Sequence, residues 1–140
     1  EIDFAPFKAL NDMPLGMTAH VVYAAIDPER PGTTSPRVVE EIIRGHIGFD
    51  GLLMSDDLSM KALSGDFGER ARAVFAAGVD LALHCNGDWA ETEPVAVAAP
   101  ELAGASLKRA ERAMALLKAP QPLDLVDARA RIHLMLATTA

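Results

Sequence analysis

Short apolar runs alternate along the chain with amphipathic stretches, and this alternation predicts strands followed by helices. Three apolar runs have strand character: residues 13–23, 52–56 and 80–85. Each is followed, after a loop, by a segment in which apolar residues recur every three or four positions, the spacing of one helix face. A recurrent order of strand and helix implies parallel strands joined by right-handed crossovers. The pattern therefore predicts an α/β fold in which helices cover a parallel sheet.

The helices are predicted from their periodicity and from the residues at their ends. Ser35 is expected to cap a helix that has Pro36 at its first position and Gly45 near its end. Residues 24–34 before it contain two prolines and a glycine, so they are expected to form a long loop. Further helices are predicted at residues 4–11, 69–77, 89–99, 103–117 and 125–136.

The composition is that of one packed domain with an acidic surface. Half of the 140 residues are hydrophobic, and the formal net charge is −7 with a pI near 5.0. This length supports a sizeable core. Lys and Arg total only 13 and form no basic stripe, so a nucleic-acid partner is not expected.

Cysteine content and the lack of long apolar runs bear on location. Cys85 is the single cysteine, which excludes an intramolecular disulfide and fits a reducing, cytoplasmic setting. No run of about 18 apolar residues occurs, as a membrane span would need. The first residues contain acids and Pro6 where a signal peptide needs a basic and then an apolar stretch. We therefore expect a cytoplasmic protein without a membrane partner.

The stretch from residue 48 to residue 61, GFDGLLMSDDLSMK, carries the strongest candidate chemistry. Its apolar run ends abruptly in Ser55, Asp56 and Asp57, the pattern of a buried strand with a polar end. Ligands of helix-covered parallel sheets bind at the carboxyl ends of the strands. Successive strand side chains point to opposite faces, so one aspartate is expected to act on the ligand and the other to support it. Alternatively, Ser55, Asp57 and Ser59 cap the start of the next helix, or the aspartates form the turn at the strand end.

Five segments match one protein family in order and spacing: DFAPFKAL, MTAHVVYAAID, PGTTS, GFDGLLMSDDLSMKAL and AGVDLALHCN. On these segments, over residues 1 to about 88, the chain resembles bacterial β-N-acetylglucosaminidases of glycoside hydrolase family 3, the kind used in peptidoglycan recycling. Three departures from the family pattern are Gly32, Val79 and His84, which stand where alanine, cysteine and an aliphatic residue are usual.

The resemblance implies a (β/α)₈ TIM barrel, of which residues 1–140 would be the C-terminal part of a single barrel domain with about three strand and helix units. A barrel of this type needs roughly 250 residues. We therefore expect this chain to be a portion of a barrel whose sheet edges and inward apolar side chains are exposed. Such a portion is expected to self-associate or to pair with the N-terminal half.

The resemblance also implies roles for three residues in a retaining hydrolysis of terminal β-linked N-acetylglucosamine. Asp56 would be the nucleophile. His20, in the motif MTAH, would line the sugar pocket, and Met60 would pack on the sugar or its acetamido group. Ordinary alternatives are a hydrogen-bonded histidine inside the barrel and a core methionine. In the family the acid/base histidine lies upstream and nothing here matches it, so the isolated chain is expected to be inactive.

Other functions remain open on the residues alone. The Asp56 and Asp57 pair could hold Mg²⁺ or a phosphate in a doubly wound domain. The absent acid/base also allows a non-catalytic sugar-binding fragment. A zinc site at His84 and Cys85 is not expected, because adjacent strand residues face opposite sides and no second cysteine exists. No cofactor is expected.

Overall fold

The computed structural model describes residues 2–137, and a parallel sheet of three short strands lies at its centre. In spatial order the strands are β1 (Leu15–Met17), β2 (Leu52–Asp57) and β3 (Leu81–Leu83). The central strand β2 pairs in parallel with both neighbours. The predicted α/β fold, a parallel sheet with about three strand and helix units, is confirmed.

Helical elements precede, connect and follow the strands. They are a 3₁₀ turn (Ile2–Phe4), α1 (Ala5–Lys8), a second 3₁₀ turn (Gly32–Thr34), a π-helix (Val38–His46), α2 (Phe67–Ala76), α3 (Trp89–Ala98), α4 (Gly104–Met114) and α5 (Leu125–Ala137). None of the helices within residues 2–137 is long and apolar enough to cross a bilayer.

The helix after β1 begins as predicted and then widens. The Ser35 hydroxyl oxygen accepts the Val38 N–H at 3.1 Å, which satisfies a free donor of the first turn. Near the helix end, the Ile47 N–H donates to the Ile42 carbonyl at 2.8 Å, five residues back, as in a π-helix. Val39 is buried from this helix against the sheet.

The first strand is shorter than the strand predicted for residues 13–23. Only Leu15–Met17 pair with β2. The β-branched composition of the following residues predicted a longer strand. However, the side chains of Thr18 and His20 form hydrogen bonds with Thr33 in the loop, and the chain leaves the sheet there. Side-chain hydrogen bonds thus compete successfully with the ladder.

The helix after β2 begins several residues beyond the side chains that were predicted to cap it. Asp66 caps α2: its carboxylate accepts the Glu69 N–H at 2.8 Å, and the Glu69 carboxylate accepts the Asp66 N–H at 3.0 Å. This reciprocal pair is a capping box. The alternative in which Ser55, Asp57 and Ser59 cap this helix is wrong, whereas its turn-forming part agrees with the structure, because Asp57 closes the turn that separates β2 from α2.

The core lies on the helix-covered face of the sheet. Its buried members come from β2, the π-helix, α2, α3 and the adjoining loops: Val39, Phe49, Leu53, Leu58, Leu63, Ala71, Val74, Ala77, Val79 and Val95. The edge strand β1 is less buried than this core, since its Leu15 and Met17 are 51% and 55% exposed. An edge strand with exposed apolar side chains is what a portion of a barrel would present.

The carboxylate of Asp80, 1% exposed, joins four elements at the amino end of β3. One oxygen, Oδ2, accepts hydrogen bonds from Arg44 Nη2 at 2.7 Å and from the Leu53 backbone N–H at 2.9 Å. The other, Oδ1, accepts from Ser106 Oγ at 2.6 Å and from Arg109 Nη1 at 3.1 Å. The π-helix, β2, β3 and α4 are therefore held to one buried, fully hydrogen-bonded charge.

We expect Asp80→Asn to destabilise the chain by about 3 to 5 kcal/mol, because it removes the buried carboxylate that the half-buried guanidinium groups of Arg44 and Arg109 share. Asp50→Asn is the matched control, since Asp50 also binds Arg109 but its side chain is 70% exposed. The control should cost no more than about 1 kcal/mol. Urea unfolding followed by circular dichroism measures both, and equal costs would contradict this role of Asp80.

The pH dependence of the unfolding free energy of wild type and Asp80→Asn is a second test of the role of Asp80. Burial alone would raise the pKa of Asp80, but hydrogen bonds from Ser106 and Leu53 and the charges of Arg44 and Arg109 hold it below its usual value. A lowered folded pKa stabilises the fold above the unfolded value of about 3.9 and loses this effect as pH falls through the folded pKa. The stability difference between wild type and Asp80→Asn should be flat from pH 7 to 5 and shrink below about pH 4. A stability difference that grows as the pH falls below about 4 would contradict the lowered pKa of Asp80.

Candidate active site

The ladder between β2 and β3 is irregular where β2 ends. Met54 lies opposite Leu81, but Asp57 lies opposite Leu83, so β2 carries one extra residue over this span. The Leu83 N–H donates to the side-chain oxygen of Ser55 at 2.9 Å. Such bulges redirect side chains and are common beside active sites. Strict alternation, from which opposite faces were predicted for Asp56 and Asp57, is interrupted here.

Asp57 is held through its carboxylate and its backbone carbonyl. Carboxylate Oδ1 accepts the backbone N–H groups of Ser59 at 3.0 Å and of Cys85 at 3.1 Å, and Oδ2 accepts the Ser59 hydroxyl. Its carbonyl accepts the Met60 N–H at 3.1 Å and lies 2.9 Å from His20 Nε2. Burial would raise the pKa of Asp57, but the Ser59 and Cys85 donors hold it below its usual value. Asp57 therefore fixes the end of β2.

Asp56 has a different environment. Its carboxylate Oδ1 accepts the Asp57 backbone N–H at 2.8 Å, and the residue is half-buried. Oδ2 has no hydrogen-bond or ion-pair partner among residues 2–137, and it is not one of their buried polar atoms. One carboxylate is thus held internally while its neighbour keeps an accessible oxygen, and the division into an acting and a supporting aspartate stays a prediction.

The structure brings the three predicted site residues to the backbone of one residue, Asp57. His20 Nε2 and the Met60 N–H both reach the Asp57 carbonyl, and Asp56 binds the N–H of the same residue. The side chain of Met60 is at the surface, with the residue 43% exposed. His20 is half-buried and has its second nitrogen, Nδ1, 2.8 Å from Thr33 Oγ1.

Three polar residues of this site were not predicted from the sequence to belong to it: Thr18, Thr33 and Ser59. Thr18 and Thr33 are buried, and their hydroxyl groups are 2.8 Å apart. The shared strand face of Thr18 and His20 was the available signal for one of them. Nothing local in the sequence indicates that Thr33 returns to that face from a distant loop.

The carboxyl ends of the strands form the rim that carries Asp56, and two cavities lie beside this rim rather than at Asp56 itself. A groove of about 320 Å³ runs between α1, β1 and the π-helix, and its wall includes Thr18 and Ala19. A second cavity of about 520 Å³ lies beside β3 and reaches His84. Asp56 and Met60 line neither of these cavities. Neither of these two cavities therefore encloses a sugar against Asp56.

His84 is a buried imidazole without a hydrogen-bond partner among the described residues. Its side chain is 5% exposed, its Nε2 lies 3.7 Å from Glu91 Oε2, and its ring packs edge-on against Phe67 at 5.1 Å. The Glu91 oxygen instead accepts from Asn86 Nδ2 at 2.8 Å. Within residues 2–137 no group of three His, Cys, Asp or Glu side chains could hold a metal ion.

The comparison with known proteins decides the family. The family described as "Glycosyl hydrolase family 3 N terminal domain" matches residues 1–119. The chain belongs to glycoside hydrolase family 3. The resemblance seen in five sequence segments is thereby confirmed, and it extends beyond residue 88 into α4.

Relatives of this family 3 chain include two proteins named beta-hexosaminidase. The protein of Alkalilimnicola ehrlichii is 46% identical over 88 residues, which are 60% of this chain and 25% of the relative. That of Bordetella parapertussis is 39% identical over 122 residues, which are 84% of this chain and 34% of the relative.

Among solved structures, a glycoside hydrolase family 3 β-N-acetylglucosaminidase from Paenibacillus sp. str. FPU-7 matches with a TM-score of 0.72. It is 28% identical, and the match covers 88% of this chain and 27% of that one. The chain thus spans between a quarter and a third of the length of the relatives that it matches.

We expect His84→Leu to leave the fold as stable as wild type or to stabilise it by up to about 3 kcal/mol at pH 8. Removing an unsatisfied buried polar group removes its desolvation cost while a leucine keeps most of the packing. His133→Leu, at an exposed position of α5, is the control and should change stability by less than about 0.5 kcal/mol. Thermal unfolding compares the three proteins. A loss above about 1 kcal/mol in His84→Leu alone would mean that the imidazole stabilises the fold.

Proposed function

We propose that the protein containing these residues is a retaining β-N-acetylhexosaminidase that removes terminal β-linked N-acetylglucosamine, with Asp56 as its nucleophile. The single observation that supports this role best is the carboxylate of Asp56, held by one backbone N–H and open at its second oxygen. Family membership and the names of the relatives support the reaction class.

In this mechanism Asp56 Oδ2 attacks the anomeric carbon as the bond to the leaving oxygen breaks. The leaving oxygen takes a proton from an acid outside the described residues. The covalent glycosyl-enzyme is then hydrolysed by a water whose proton goes to the same group, now acting as a base. The Asp57 N–H holds one carboxylate oxygen and leaves the other free to attack.

The other two predicted residues belong to this proposal as contacts of the sugar. Met60 lies in the turn after the strand end that carries Asp56, and its exposed side chain can pack on the sugar or its acetamido group. His20 has both ring nitrogens engaged within the protein, so it would line the pocket through its carbon edge. We place the natural substrates among muropeptides and peptidoglycan fragments and the enzyme in the cytoplasm. The relatives' names support the sugar class but not this pathway.

The Mg²⁺-binding alternative has less support. Both carboxylate oxygens of Asp57 are already bonded to Ser59 and Cys85, which leaves Asp56 as the one free acid at this rim among the described residues. Divalent cations in proteins are usually held by more than one oxygen ligand of the chain. The non-catalytic sugar-binding alternative is an outcome of the test below.

We expect Asp56→Ala, made in the full-length protein, to lower kcat on a chromogenic N-acetylglucosaminide by more than about 10⁴-fold, because covalent catalysis loses its nucleophile. Added azide should restore turnover in this variant and give the glycosyl azide of inverted configuration, since a small anion can occupy the space of the missing carboxylate. Asp50→Asn, remote from the rim, is the control and should keep wild-type kcat. Retained activity in Asp56→Ala would remove Asp56 from the mechanism, and sugar binding without hydrolysis by wild type would favour the non-catalytic alternative.

We also propose that the apolar edge of β1 is covered by further protein, either the preceding part of the barrel or a second copy. The exposed side chains of Leu15 and Met17 support this. The 140-residue chain, purified alone, should sediment as more than a monomer and hydrolyse no substrate. A stable monomer, or measurable hydrolysis, would contradict this part of the proposal.

A further inference from the structure

A chain of hydrogen bonds links two buried threonines to the end of β2. Thr18 Oγ1 donates to Thr33 Oγ1 at 2.8 Å, His20 Nδ1 lies 2.8 Å from the same oxygen, and His20 Nε2 lies 2.9 Å from the Asp57 carbonyl. Thr18 is 5% exposed and Thr33 is fully buried. Three segments of the chain that are distant in sequence thus meet through side chains.

The partners determine the direction of each hydrogen bond. A backbone carbonyl only accepts, so His20 Nε2 carries a hydrogen and donates it to Asp57. In the neutral imidazole Nδ1 then accepts, and the Thr33 hydroxyl donates to it. The Thr33 oxygen is left to accept from Thr18, which agrees with the observed contact.

These side-chain hydrogen bonds connect β2 to the segment after β1 where the backbone pairing of the sheet stops. β1 pairs with β2 as far as Met17, and the Thr18 N–H donates to the Met54 carbonyl at 2.9 Å. Beyond that point the His20 side chain is the link from this segment to the backbone of Asp57. On the other side of β2 the ladder is irregular as well. The end of β2 therefore depends on side-chain hydrogen bonds for its conformation.

We infer that His20 is a positioning residue for the nucleophile: it orients the backbone of Asp57, and the Asp57 N–H in turn orients the Asp56 carboxylate. This inference rests on the proposed role of Asp56. Both ring nitrogens of His20 face protein atoms, so its polar atoms are not available to the sugar. Misplacement of a reacting group by about 1 Å can cost roughly 100-fold in rate.

The paired variants His20→Asn and His20→Gln separate the two ends of the imidazole. The shorter Asn amide sits near the Nδ1 position and reaches Thr33, whereas the longer Gln amide can reach the Asp57 carbonyl as Nε2 does. In the full-length enzyme we expect His20→Asn to lower kcat by about 10- to 100-fold with KM changed less than about twofold. His20→Gln should recover most of kcat because it keeps the donor to Asp57.

Thr33→Val provides an independent variant if both His20 variants fold poorly. Thr33 is fully buried and cannot touch a sugar, so a lower kcat at constant KM would have to act through His20. Thr34→Val is its control, because the Thr34 hydroxyl donates to the Pro31 carbonyl and takes no part in the hydrogen bonds that link Thr18, Thr33 and His20. Thr34→Val should keep wild-type kcat and KM.

Each outcome decides between positioning and its alternatives. A raised KM with unchanged kcat in both His20 variants would show that the residue acts on sugar binding alone, and it would overturn the positioning role. Equal kcat losses in Asn and Gln, or losses that follow the folded fraction measured by circular dichroism, would show a purely structural role. Wild type and Asp56→Ala are assayed in parallel. Unchanged activity in Asp56→Ala would refute the proposed nucleophile, whereas a failure confined to the His20 series would refute only the positioning role.

Discussion

The arrangement of the site depends on how Asp57 is bound. A strand end beside a bulge has lost regular ladder partners, and its conformation is then open unless other groups hold it. Here the Asp57 carboxylate accepts two backbone N–H groups and a hydroxyl, while its carbonyl receives two further donors. The donors come from three segments: the residues after β1, the turn after β2 and the residues after β3. Asp57 therefore joins all three strand ends through its carboxylate and its carbonyl, and its neighbour Asp56 keeps one oxygen without a partner among the described residues.

A second aspartate has the corresponding role at the opposite end of the sheet. Asp80 binds two arginines, a serine and a strand N–H, and it thereby connects the π-helix, β2, β3 and α4. Its neighbourhood is buried and fully satisfied, as expected of a group that holds a fold together. The carboxyl ends of the strands differ, because an accessible carboxylate oxygen and a buried imidazole both lack a hydrogen-bond partner there among residues 2–137. Local departures of this kind are typical of functional ends of a parallel sheet.

Much of the fold could be predicted from the sequence because hydrophobic periodicity and end signals are local. The parallel sheet, the Ser35 cap and the polar end of β2 all follow from neighbouring residues. The prediction failed where distant groups compete with local preference. The first strand stops early because Thr18 and His20 bond to Thr33 in a later loop. Asp57 does not cap the helix because its carboxylate accepts hydrogen bonds from the backbone N–H groups of Ser59 and Cys85.

Covalent trapping tests the central claim, that Asp56 is the nucleophile, most directly. A fluorinated N-acetylglucosaminyl substrate that forms the glycosyl-enzyme quickly and releases it slowly would be added to the full-length protein, followed by acid proteolysis and peptide mass spectrometry. The account predicts one added sugar on the peptide that contains residues 48–61, with fragmentation placing it on Asp56. A label on Asp57 or on any other residue would contradict the account. So would the absence of a covalent adduct while the protein continues to hydrolyse its substrate.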